Sequence, residues 1–125
     1  MQERSLARLP KSEAMNAALH GSIYRSLPDA RQSECFEELC RSKSFRVERI
    51  ISGGPGSPPG FWYDQAWDEW VLVLEGWAVL QLQEPEEVVR LSTGDWLMIN
   101  AHRKHRVLAT SQKPATIWLA VHGTV

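Results

Sequence analysis

The sequence has no surplus of either charge: 14 Lys and Arg stand against 15 Asp and Glu in 125 residues. No basic stripe is set aside for a nucleic-acid backbone, so nucleic acid is not an expected partner. Long apolar runs are missing too. The longest, Trp70 to Leu74, falls far short of the ~20 residues that cross a bilayer, and the N-terminal "MQERSLARLPKSEAMNAALHG" has no apolar centre of a signal peptide. The expectation is a soluble, cytoplasmic protein with no membrane partner. Cysteine is scarce, with only Cys35 and Cys40. On a helix these two would turn to different sides, which makes a mutual disulfide geometrically poor, and two thiols supply only half of a zinc shell. No Ser or Cys sits in the setting of a nucleophile with its base, which disfavours hydrolysis through a covalent enzyme intermediate. "SGGPGSPPG" has glycines but no following helix, so it is neither a phosphate-binding loop nor a dinucleotide fingerprint.

Tryptophan, by contrast, is abundant. Five of the six fall between Trp62 and Trp96, a clustering that suggests an aromatic-lined cavity or wall. The length suits one domain with a real core and is too short for two. Residues 1–28 are polar and mixed, with Pro10 and Pro28, and read as an arm that is mobile or drapes over the surface or a partner subunit; residues 29–125 form the single domain. Ser33 can cap a short helix with Glu34 in its first turn, Phe36, Leu39 and Cys40 on one face, and Arg41 and Lys43 near its end.

From Phe45 onward the pattern becomes short strands divided by turn chemistry. "FRVERII", "WVLVLEG", "WAVLQLQ", "EEVVRLS", "DWLMIN", "HRVLAT" and "TIWLAVH" are punctuated by Glu75-Gly76, Glu84-Pro85, Thr93-Gly94 and Ser111 to Pro114. Seven such strands predict an all-β antiparallel sandwich or barrel. In an extended segment Tyr63, Gln65, Trp67 and Glu69 share one face, with Asp64 and Asp68 on the other. Thirty-six residues after Glu69 comes "NAHRKHRV", where His102 and His105 open a strand. Folding the later strand beside the first would bring a His, a Glu and one or two further O or N donors together as a first-row metal site. Arg103, Lys104 and Arg106 flank His105 and read as a solvated basic turn. His122, near the chain's end, carries no site expectation.

These motifs resemble the cupin superfamily, and in particular its small single-domain bacterial members with a "WYDQ…DEWV…LEG" core. Cupin motif one is a Gly, two His separated by one residue, a Glu, and a Gly seven residues later; here Gly60, Glu69 and Gly76 fit. Motif two is a Gly, a Pro, a Gly and a His; Gly94 and His105 fit, with Asn100 in place of Pro and His102 in place of Gly. The two histidines of the first motif are absent, and their positions fall at Tyr63 and Gln65, or at Trp62 and Asp64 if a bulge adds one residue. The resemblance implies a jelly-roll barrel, a double-stranded β-helix, over roughly residues 45–122. It implies a divalent transition metal (zinc, iron, manganese or nickel) on Glu69, His105, Asp64, Gln65 and His102. Tyr63 and Gln65 would orient a small polar or anionic molecule, and Glu69 would be ligand or catalytic base in dioxygenase or isomerase chemistry. The rival is a non-catalytic binding or sensing module, with or without metal. A homodimer is expected from exposed strand edges and the N-terminal arm.

Overall fold

A computed structural model describes residues 17–123. Eight strands follow in order: β1 (Cys35–Arg41), β2 (Phe45–Ser52), β3 (Asp68–Glu75), β4 (Trp77–Leu82), β5 (Glu87–Ser92), β6 (Trp96–Ile99), β7 (His105–Thr110) and β8 (Thr116–Gly123). They pair antiparallel in a five-stranded sheet ordered β1-β2-β8-β3-β6 and a three-stranded sheet ordered β5-β4-β7. The two sheets enclose the core as a jelly roll, and the seven strands from Phe45 onward lie where the alternation of the sequence puts them. Val71, Val73, Leu80, Leu82, Ile99 and Trp118 meet between the sheets, each burial contributing about 1.5–3 kcal/mol.

The expected helix after Ser33 is instead β1, an edge strand running antiparallel to β2 from Cys35↔Ile51 to Arg41↔Arg46. Its register shifts between Glu38 and Cys40. That bulge inserts a residue into the pattern, so Phe36, Leu39 and Cys40 fall at a helical spacing although the segment is extended. Pairing with β2 outweighs a weak local preference. Both cysteines are free, Cys35 packed beside Ile51 and Ile117 and Cys40 exposed.

Residues 1–16 of the expected arm lie outside the described residues, and 17–28 contain neither helix nor strand. This stretch drapes over the outer side of β1 and β2. The buried Arg49 guanidinium donates to the carbonyls of Ile23, Arg25 and Ser26 and to Glu37, while Ile23 and Ala30 pack on Ile51 and Ile117. The β3–β4 turn needs glycine. Gly76 sits at φ +83°, and a Cβ there would meet Ser111 Oγ at 2.1 Å. This turn holds β3 of the larger sheet to β4 of the smaller one.

Candidate functional site

The loop between Gly60 and Trp67 is fastened to the start of β7 by backbone bonds. Tyr63 and His105 exchange N–H···O bonds of 2.8 and 3.1 Å, and the His102 N–H donates to the Gln65 carbonyl at 2.6 Å. Tyr63 and Gln65 thereby line a cavity between the sheets together with Glu69 of β3, His105 of β7, Glu48 of β2, His122 of β8 and Glu34 just before β1. Ile50, Val71, Leu80, Ile99 and Val107 form its apolar wall. About 60 Å³ is open to the centres of water molecules. One water needs about 10–15 Å³ on that measure, so the cavity holds several waters or one small organic molecule.

Glu69 is the central group. It is 6% exposed, and among the described residues no hydrogen bond reaches its carboxylate. Its neighbours are two imidazole nitrogens, His105 Nε2 at 3.7 Å from Oε1 and His122 Nε2 at 3.8 Å from Oε2. Both distances exceed hydrogen-bonding range. A carboxylate that no protein donor reaches leaves its hydrogen-bonding capacity to water in the cavity, to a cation or to a ligand's donor groups. Gln65 adds to the same need, since its Oε1 is buried without a partner.

The two histidines are oriented differently, and their partners fix which nitrogen carries the proton. His105 Nδ1 lies 3.0 Å from the Arg103 carbonyl, which only accepts, so Nδ1 carries a proton and Nε2 is the nitrogen turned toward Glu69. A backbone carbonyl behind one nitrogen is how metal-binding imidazoles are commonly aimed. His122 is engaged on both sides. The Trp67 indole N–H donates to its Nδ1 at 2.8 Å, and because indole only donates, the proton is on Nε2, which donates to Glu48 Oε1 at 2.8 Å. His122 thus has no lone pair left for an ion.

Two further groups complete the polar lining. The Ser52 hydroxyl accepts from Trp118 Nε1 at 3.0 Å and gives its own proton to Glu34 Oε2. Burial pushes the Glu34 carboxyl above the usual carboxylate range, Ser52 opposes the shift and Glu69 adds to it. The Tyr63 phenol is pushed up to about 12, by burial first and then by Glu34, Glu69 and Glu48. It stays protonated at neutral pH as a potential donor. No Lys or Arg is among the residues lining the cavity, against three carboxyl groups.

Of the residues singled out in the sequence, Tyr63, Gln65, Glu69 and His105 come together here. Asp64 and His102 do not. They form an exposed pair, His102 Nδ1 to Asp64 Oδ1 at 3.0 Å, outside the cavity, because the bridge at Tyr63 turns alternate residues outward. Asp68 is taken by the Ala101 N–H. The basic residues around His105 serve the scaffold: Arg103 binds Glu87 and the Gln83 and Pro85 carbonyls, and Arg106 reaches the Ser57 carbonyl and covers Trp62. The tryptophan cluster does not wall the cavity. Only Trp118 lines it, while Trp62 and Trp77 lie under arginines and Trp70 meets Trp96 on the outer sheet face. Glu34, Glu48 and His122 were not anticipated. His122 was within reach, since it continues the inward alternation of Trp118 and Ala120. Glu34 was hidden by the helical reading of its segment.

Comparison with known proteins follows this geometry. The family model for the cupin domain matches residues 48–122. The chain is a cupin. A Ralstonia eutropha JMP134 protein, provisionally called a mannose-6-phosphate isomerase, is 42% identical over 85% of this chain and 98% of its own, with a TM-score of 0.79. A cupin superfamily protein from Desulfitobacterium hafniense DCB-2 is 19% identical over 100% of this chain and 94% of its own, with a TM-score of 0.65. The Fe(II) form of HppE is 19% identical over 71% of this chain and 49% of its own, with a TM-score of 0.60. The latter two show the shared fold alone. No curated protein matches the sequence.

Among the described residues no three His, Cys, Asp or Glu side chains gather in a metal-holding group. The donor atoms that the cavity residues leave without a hydrogen bond are fewer and mixed. They are the free His105 Nε2, the Glu69 carboxylate and the orphaned Gln65 Oε1, one nitrogen and two kinds of oxygen, suited to a borderline first-row metal that keeps other ligands.

Proposed function

We propose that this cupin binds a small polar molecule in the barrel through a divalent transition metal held by His105, Glu69 and Gln65. The observation that carries the reading is the Glu69 carboxylate, buried without a hydrogen bond between two imidazole nitrogens. A bound ion would supply Lewis-acid polarisation of a ligand carbonyl or hydroxyl. The chain's own groups would do the rest. The Tyr63 phenol offers a hydrogen-bond donor, burial raises the affinity of the Glu34 carboxyl for a proton, and the apolar wall keeps bulk water away. Isomerase chemistry of the kind named for the Ralstonia relative requires a proton acceptor and a proton donor around one ligand. Glu34, raised by burial, and Glu69, beside two imidazoles, are the carboxyls placed for those roles.

Ligand charge follows from the lining. Three carboxyls and no Lys or Arg give a bare anion no counter-charge among these residues. A neutral polyol or a hydroxy-carbonyl compound suits the cavity better than a sugar phosphate. A second reading, a metal-free binding module, is favoured by the full engagement of His122 by Trp67 and Glu48; there, amine or hydroxyl donors of the ligand would complete Glu69. Metal analysis by inductively coupled plasma mass spectrometry separates the two, on protein purified without chelator or metal-affinity tag. Near-stoichiometric metal in the wild type, lost in His105→Ala, is the expected result. Undiminished metal in the variant contradicts the assignment, and no metal in either protein leaves the metal-free reading.

A further inference from the structure

A second pocket lies at the end of the barrel where β1 turns into β2 and β8 finishes. About 260 Å³ of it is open to the centres of water molecules, and Arg41, Lys43, Phe45, Arg46, Trp67 and His122 surround it. Three of these residues are cations and none is acidic. The cavity between the sheets has the reverse balance, with three carboxyls and no Lys or Arg. His122 is a wall common to both. Its two ring nitrogens are taken by Trp67 and Glu48, so it closes the inner end of the pocket and leaves the polar chemistry there to the cations.

The strand register brings the cations together at a cost to the sheet. Arg41 is paired with Arg46, Arg46 with His122 and His122 with Glu69 across four adjacent strands, so these side chains form one row on the inner face. With ~4.8 Å between strands, Arg46 stands ~10 Å from Glu69 along that row. Like charges placed directly opposite on neighbouring strands destabilise a sheet. Lys43, in the turn at residues 42–44, adds a third positive charge.

Little in the protein answers these charges. Arg41 is bound to Glu38 in an exposed pair, of the kind that contributes little to stability. Arg46 makes no side-chain hydrogen bond among the described residues. Its nearest carboxylate, Glu48, stands at 4.0 Å and already accepts from His122, and its guanidinium lies 5.6 Å from the centroid of the Trp67 ring. Lys43 has neither a hydrogen bond nor an ion pair among the described residues. The Ser42 hydroxyl, also in the lining, accepts from the Ser44 N–H and keeps its own proton to give. Phe45 and Trp67 supply apolar sides, beside which attraction between charges is stronger than in open water.

We infer that this pocket is a binding site for a small organic anion, held by its phosphate or carboxylate group. The planar fork of Arg46 matches two oxygens of such a group at once, Lys43 adds a point charge from the turn, and the Ser42 hydroxyl donates to a remaining oxygen. Bound there, the anion would relieve the repulsion between Arg41 and Arg46 that the register imposes. The inference stands whether or not the cavity holds a metal, because none of these cations lines the cavity.

Inorganic phosphate, titrated into the ¹⁵N-labelled full chain at fixed pH and ionic strength, tests this through the indole N–H of Trp67, whose signal is identified by its loss in Trp67→Phe. Fixed ionic strength removes general screening from the response. The signal should shift saturably, and Arg46→Gln should weaken binding at least about tenfold. Because Arg46 also packs on Trp67, Lys43→Gln on an exposed side chain separates charge from packing, and it should weaken binding several-fold. Arg90→Gln, over Trp77 on the smaller sheet, should leave the midpoint unchanged. Succinate titrated in the same way separates the two groups, the tighter anion naming the class. No saturable shift with either anion overturns the inference. Midpoints in Arg46→Gln and Lys43→Gln equal to that of the wild type overturn it too, and place the anion elsewhere.

Discussion

Replacing Glu69 by Gln should make the metal-free protein more stable. The side chain is 7% exposed, its nearest nitrogens stand at 3.7 and 3.8 Å, and no protein donor comes within hydrogen-bonding distance of its carboxylate. Glutamine keeps the shape, removes the charge and brings an amide N–H₂ that can turn to the free Nε2 of His105. Exchanging a largely buried charge that no protein donor reaches for an amide that can bond His105 is worth about 1–3 kcal/mol. For a chain of 125 residues, with an unfolding entropy near 2.1 cal/mol/K per residue, each kcal/mol moves Tm by about 4 °C. The chelated variant should therefore melt about 4–12 °C above the chelated wild type, followed by near-ultraviolet circular dichroism after dialysis against EDTA.

Saturating divalent metal should reverse the order. At a hundredfold excess over Kd the wild type gains about 2.7 kcal/mol, whereas the variant has lost the charge that attracts the ion and gains far less. Such a reversal would mean that stability and metal binding are opposed at this residue. A chelated Glu69→Gln protein that melts below the chelated wild type would refute the reasoning, because it would mean that Glu69 is satisfied by the protein itself.

Other consequences are equally open to measurement. Glu34 has its folded-state value raised above the usual one, so its favourable contribution is complete below the ordinary carboxylate range and is lost as pH climbs through the raised value. Glu34→Gln should remove that decline, giving a flatter profile of Tm between pH 5 and 8 and a protein more stable than wild type at the upper end; an unchanged slope speaks against it. Trp67→Phe deletes the donor to His122 Nδ1. Long-range ¹H–¹⁵N spectra should show the Nε2–H tautomer of His122 in the wild type and a mixture in the variant, at a stability cost of about 1–2 kcal/mol. Gly76→Ala combines φ +83° with a Cβ 2.1 Å from Ser111 Oγ, and urea unfolding should show a loss of about 2–4 kcal/mol.

The strands from Phe45 onward were legible because alternation and turn residues agree there, and motif spacing located Glu69 and His105. What the sequence concealed has specific causes. The bulge in β1 moved Phe36, Leu39 and Cys40 into helical spacing, which hid the strand and with it Glu34. Ile50 and Ile51 together blurred which face of β2 is interior, leaving Glu48 unassigned although it shares the inward face with Ile50. Asp64 and His102 were drawn toward the site by nearness in sequence. The surface pair they make depends on the bridge between Tyr63 and His105, a long-range contact that no local pattern encodes. The tryptophans misled in the opposite sense. "DEWVLVLE" is apolar on both faces, and its second apolar face is the outside of the sheet, where Trp70 meets Trp96.

The most direct test is a crystal structure of the wild type soaked in Mn(II) or Zn(II), with anomalous scattering recorded at the metal's edge. An anomalous peak in the cavity, with His105 Nε2 and a Glu69 oxygen at about 2.0–2.2 Å and Gln65 Oε1 turned toward it, is the predicted result. A cavity without a peak, with metal only on the exposed Asp64–His102 pair, would contradict the account.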